Sequence, residues 1–143
     1  MDRHEKERRY LQRVVAVAGL VPVSAGFYGV LFGAGITGEP LLSVSGDSHY
    51  RYLSGLLLGA GLLFWSGIPA IEDKTGRFQL LTLVVMAGGL GRLAGLGMTG
   101  VPSLVMLAAL VMELVVTPLV CLWQARVARL FRRPIQPGPE MPA

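Results

Sequence analysis

Two charged residues stand inside otherwise apolar sequence. Arg92 lies in L-L-T-L-V-V-M-A-G-G-L-G-R-L-A-G-L-G-M, residues 80–98, and Glu113 lies in the apolar stretch that follows. An arginine at membrane depth is costly, so it must face protein or water and find a partner. A guanidinium matches a carboxylate through two parallel hydrogen bonds. The same chemistry would receive a small anion, such as a lipid phosphate or a substrate carboxylate. Arg51, Asp47 and His49 cluster at the start of an earlier apolar stretch and are candidates for the same work. Two readings of these residues stand side by side. Arg92 and Glu113 form a structural pair that fixes helix register, or they line an outward-facing anion pocket together with Arg51, with Asp47 and His49 at its mouth.

Other chemistry finds little support. Cys121 is the only cysteine, so the chain holds no disulfide and no Cys-x-x-Cys motif. His4 and His49 lack the spacing of metal ligands. No nucleophile-plus-base set and no phosphate loop is present. Ser54, Ser66 and Thr117 read as small packing residues. The expectation is therefore no enzyme, no metal and no cofactor. Basic residues sit at the ends and are not interleaved with aromatics, which argues against nucleic acid as a partner.

The elements that would hold these residues are helices in a bilayer. Of the 143 residues, 52% are apolar and only 15% charged, an excess foreign to a soluble domain of this size. Four windows approach the roughly 20 residues that cross a hydrocarbon core: 14–36, 53–71, 78–98 and 101–123. The first is too long for the apolar core of a cleavable signal, and no small-x-small site follows it. The expected fold is all-α, an integral membrane four-helix bundle over residues 14–124. A basic segment, 1–13, precedes it. A basic and then proline-rich tail, 125–143, follows, and its last ten residues are expected to be disordered.

Eleven basic residues fall in the N-terminal segment, the 72–77 turn and the tail. By the positive-inside rule these lie in the cytoplasm, with both termini inside. The loop bearing Asp47 and His49 and the 99–102 turn then face outward. The N-terminal charges read either as this topology signal or as a site for anionic lipid at the cytoplasmic face. The 72–77 turn, E-D-K-T-G-R, reads as a solvated hairpin.

Small residues predict where helices meet. Gly19, Pro22, Gly26, Gly29 and Gly33 share one face of the first helix. Ser24 is expected to help satisfy the carbonyl that Pro22 frees. Arg51, Gly55 and Gly59 share a face of the second helix, which turns the arginine inward unless it snorkels to the surface. Gly88, Gly89, Gly91, Gly95 and Gly97 crowd around Arg92, and Ala109, Glu113 and Thr117 share a face of the fourth helix. Such faces let helices approach closely, within one chain or between two copies. At 1.5 Å per residue, Arg92 and Glu113 lie about 10 and 16 Å below the outer surface, close enough to meet.

Arg51-Tyr52-Leu53-Ser54-Gly55, Gly88-Gly89-Leu90-Gly91-Arg92-Leu93, Gly100-Val101-Pro102 and Met112-Glu113-Leu114 occur here in that order. In this combination the chain resembles the bacterial membrane family known as domain of unknown function 4345, over roughly residues 14–124. The resemblance implies a compact four-span protein of the bacterial inner membrane and brings no assigned activity. In architecture alone the pattern is also similar to DoxX-like four-helix proteins, which licenses no function.

Three functions follow as expectations. The first is a protein of the bilayer that binds a small anionic molecule or lipid headgroup. The second is a structural or accessory subunit, or homodimer, using its glycine faces as interfaces. The third is a small proton-coupled transporter acting as an oligomer through Glu113.

Overall fold

In the computed structural model, which describes residues 3–37 and 43–132, the chain is all-α. Four long helices follow one another: α1 (Arg3–Phe32), α2 (Val44–Ser66), α3 (Thr75–Thr99) and α4 (Leu104–Phe131). A short 3-10 turn, Gly33–Thr37, closes α1, and another, Ile71–Asp73, precedes α3. The basic N-terminal segment is the first three turns of α1, and the basic stretch after residue 124 is the last turns of α4. The proline-rich end, from residue 133 onward, lies outside the described residues, as does Glu39 of the first loop.

Among the described residues, three helical segments are long and apolar enough to cross a membrane: Arg3–Gly35, Thr75–Thr99 and Leu104–Phe131. The second expected span, 53–71, differs. Its helix stops at Ser66, so Pro69 and Ile71 fall in the following turn. The helix begins instead at Val44, and its first two turns carry Asp47, His49 and Arg51. Its apolar part is shorter than the sequence window, and α2 does not reach the same standard.

The helices gather at one end. Leu11, Ile71, Phe78 and Val127 are fully buried there, with Val15 and Cys121 beside them. These residues come from the start of α1, the 67–74 turn, the start of α3 and the second half of α4. Burying one large apolar side chain contributes about 1.5–3 kcal/mol, so this cluster is the main apolar anchor. Phe64 meets Phe78 edge to face, with ring centroids 5.3 Å apart.

Polar side chains fasten the same end. Gln12 donates from Nε2 to the Ile68 carbonyl at 2.8 Å, and Gln124 donates to the Ile71 carbonyl at 2.6 Å and to Thr75 Oγ1 at 3.1 Å. Arg8 reaches Glu72 at 2.8 Å and Glu5 at 2.9 Å. The 72–77 turn is thus not a freely solvated hairpin. Ile71 is fully buried, and Arg8 draws Glu72 against α1. The hydrogen bonds from Arg8 and Arg9 hold the Glu5 carboxyl below the usual range, while Glu5 and Glu72 raise the already high value of Arg8.

The α1 and α2 helices lie against each other along their length, and the α1 stripe is the reason. A Cβ on Gly26 would come 2.7 Å from the Ser54 carbonyl oxygen, and one on Gly19 would overlap the Trp65 ring. Trp65 Nε1 donates to the Ala16 carbonyl at 3.1 Å, across the two helices. The facing stripe on α2 is Ser54, Leu58, Gly61 and Trp65 rather than Gly55 and Gly59. A Cβ on Gly59 would meet nothing within 4 Å, and one on Gly55 only a methyl of Val30 at 3.9 Å. Pro22 leaves α1 unbroken. Ser24 Oγ donates to the Leu20 and Val21 carbonyls and not to that of residue 18, which proline at 22 frees, two and three residues away.

The opposite end is loose. The last turns of α3 and the first turns of α4 touch each other but little else. Met98 is 85% exposed and Leu104 81%.

Candidate functional site

Arg92 and Glu113 meet on the α3–α4 hairpin. Arg92 Nε lies 3.1 Å from Glu113 Oε2, and Nη2 lies 3.2 Å from Oε1, a two-pronged ion pair. Nη1 points at the thioether sulfur of Met106, 2.9 Å away. Met106 is a partner that the search for charged residues overlooked. It stands seven residues before Glu113, on the same face of α4. The Glu113 side chain is 15% exposed and that of Arg92 36%.

Local backbone brings the carboxylate into place. Residues Met112–Val116 form a π turn within α4. Pro118 follows directly and lacks the N–H that would continue an ordinary ladder. The Met112 carbonyl instead accepts from the Thr117 N–H and, at 2.8 Å, from Thr117 Oγ1. The extra residue in this turn breaks the expected face of Ala109, Glu113 and Thr117 at its last member, because Thr117 is turned onto its own backbone. Such turns concentrate at functional sites and also arise next to proline.

Gly89 lets α3 approach. A Cβ there would come 3.0 Å from Glu113 Cβ and 2.8 Å from Leu114 Cδ2. Gly89 is one of the five glycines expected around Arg92, and it alone of them packs within the chain. The others, Gly88, Gly91, Gly95 and Gly97, have nothing within 4 Å of a built Cβ. They do not pack α3 against this chain, because they occupy the face turned away from α4. Arg92 lies between the two faces.

Arg51 and Asp47 form a second, separate centre. Arg51 Nε donates to Asp47 Oδ2 at 2.7 Å, and Nη1 donates to the carbonyls of Val30 and Leu31 at 2.7 and 3.0 Å. Asp47 Oδ1 accepts from the Ala34 N–H at 3.0 Å. The last carbonyls of a helix have no partner within it and carry partial negative charge. Arg51 therefore caps α1. Gly33 makes this possible twice over: its φ of +65° turns the chain at the helix end, and a Cβ would collide with Asp47 and Arg51. The Arg51 hydrogen bond, aided by the Ala34 amide, holds the Asp47 carboxyl below its usual range. Arg51 thus turns toward α1 on the same face as Ser54 and Leu58.

His49 is exposed and lies against Tyr52 with ring centroids 6.4 Å apart, over a shallow hollow formed with Val44, Ser45 and Ser48. No hydrogen bond or ion pair among the described residues joins the Arg51–Asp47 centre to the Arg92–Glu113 centre. The three residues expected to line one pocket and the two expected at its mouth form two closed pairs and a bystander. Among the described residues, no group of three or more metal-ligating side chains comes together.

The geometry is that of neutralised charges. Each arginine has its own carboxylate and further acceptors, and each ties two helices or two ends together. Neither the curated proteins nor the solved structures give a match to the chain. The model for a domain of unknown function, DUF4345, matches residues 10–124, which spans both centres and most of the packed end; the chain belongs to that family.

Proposed function

We propose that this chain is an accessory protein of the bacterial inner membrane, crossing four times and associating with a second copy through the open face of α3. The observation that carries the reading is the row Gly88, Gly91 and Gly95 on a helix long and apolar enough to span, with open space at each Cβ. Val84, 60% exposed, continues that face. Glycine in a helix costs about 1 kcal/mol relative to alanine, so three facing only lipid are a burden of roughly 3 kcal/mol. Close approach of another helix, driven by packing, offsets it.

Connectivity supports four crossings. The start of α1 and the start of α3 share the packed end, and α1 leads away from it. The chain must return through α2, which runs 23 residues, about 34 Å, against α1. Basic residues crowd the packed end, which by the positive-inside rule favours both termini in the cytoplasm. Arg92–Glu113 and Arg51–Asp47 then act as clasps near the outer side.

A second reading, an outward-facing site for a small anion lined by Arg51, Arg92 and Glu113, draws on the partial exposure of Arg92. It needs the pairs to open, so the closed geometry favours association.

The test is a Gly91→Cys chain in a Cys121→Ser background, oxidised in native membranes. A disulfide-linked dimer is expected. Monomer alone, for Gly91→Cys and for Gly95→Cys, contradicts the proposal.

A further inference from the structure

A groove of about 360 Å³ lies at the packed end, between the start of α1 and the last turns of α4. Its lining is layered. Arg3 and Lys6 on α1 and Arg126 on α4 form the outermost layer. Tyr10 and Trp123 come about one turn deeper, and Val14 about one turn deeper again. The layers coincide because α1 runs into the molecule from this end while α4 runs out toward it. Lys6, Tyr10 and Val14 are spaced by four and share a face. From Lys6 to Val14 is about 12 Å along the helix.

Charge distinguishes this groove from an ordinary apolar furrow. Glu7 also lines it and pairs with Arg126 at 3.3 Å. Lys6 and Arg126 against that one carboxylate leave one positive charge in excess. Cation, amphipathic ring and aliphatic side chain follow in the order of phosphate, glycerol ester and acyl chain in a phospholipid. Tyrosine and tryptophan favour the headgroup level, and lysine and arginine favour anionic lipid at the cytoplasmic surface.

We propose that this groove holds one anionic phospholipid, with its phosphate on Lys6 and Arg126 and an acyl chain passing Tyr10 and Trp123 to Val14. The site is distinct from the α3 face and does not depend on association there.

The experiment is native mass spectrometry of the purified full chain in nonionic detergent, with phosphatidylglycerol and phosphatidylcholine at equal mole fraction. Wild type should retain phosphatidylglycerol about 25-fold better, with each of the two basic residues accounting for about fivefold. Lys6→Gln with Arg126→Gln should abolish the preference, whereas Arg77→Gln, at the same end but outside the groove, should keep it. Should the double variant fail to fold, Lys6→Gln alone, at an exposed position, must still lose about fivefold. Equal retention of the two lipids by wild type, or an unchanged preference in the Lys6 variants, overturns the proposal. Displacement of phosphatidylglycerol by soluble glycerol phosphate at equal concentration overturns it too, because the site would then be one for a free phosphate.

Discussion

The two ends of this molecule are held in different ways. At the packed end, large side chains from three helices and a turn interlock, and Gln12, Gln124 and Arg8 tie the connecting backbone to its neighbours. At the other end the helices meet pairwise: the α1 glycine stripe and Arg51, which donates to the Val30 and Leu31 carbonyls, hold α1 to α2, and the Arg92–Glu113 ion pair fastens α3 to α4. Apolarity alone does not draw helices together in lipid, because lipid tails are as apolar as leucine. Close shape fit does so throughout, and at the second end arginine contacts add to it.

The contrast breaks most visibly in the core. Phe78 is fully buried and Leu90 is 55% exposed. Phe78→Ala should lower stability by about 3–5 kcal/mol, while Leu90→Ala should stay within about 0.5 kcal/mol. Chemical unfolding in detergent measures both. Equal losses would mean that the half of α3 that holds Leu90 is as well packed as the half that holds Phe78.

Much of this plan could be read from residue types and spacing, and the rest could not for definite reasons. The stripe from Gly19 to Gly33 is legible because steps of three and four fix a helix face without further information. The α2 face is not legible in the same way. Gly55, Gly59 and Gly61 offer two stripes about a third of a turn apart, and only Trp65 and Ser54 in the partner surface choose between them. Arg92 and Glu113 were recognisable as partners because they are the lone charges in neighbouring apolar stretches. Arg51 was misleading, since its acceptors include backbone carbonyls of Val30 and Leu31, which no residue type announces. Gln124 left a faint signal, a polar residue in line with Cys121, Val127 and Ala128. The turn at 72–77 looked solvated because its charges are visible in sequence and the reach of Arg8 is not.

A smaller effect sharpens the outer end. Asp47 has a carboxyl held below its ordinary range by Arg51 and the Ala34 amide. A depressed folded value means that its contribution is complete above the ordinary carboxylate range. That contribution is lost as pH falls through the lower folded value. Thermal unfolding between neutral pH and pH about 3 should therefore lose less stability in Asp47→Asn than in wild type. Parallel losses would mean that Asp47 does not carry the acid sensitivity of this end.

The central claim is that the intramembrane charges are clasps rather than a ligand site, and a double-mutant cycle addresses it most directly. Wild type, Arg92→Gln, Glu113→Gln and the double variant would be unfolded thermally in the same detergent. Each single change should destabilise strongly, by up to about 3–5 kcal/mol, because it leaves a charge without its partner. The double variant should be no worse than the weaker single. Single changes that leave stability equal or higher would contradict the account, because the charges would then be retained against stability, as a binding site retains them.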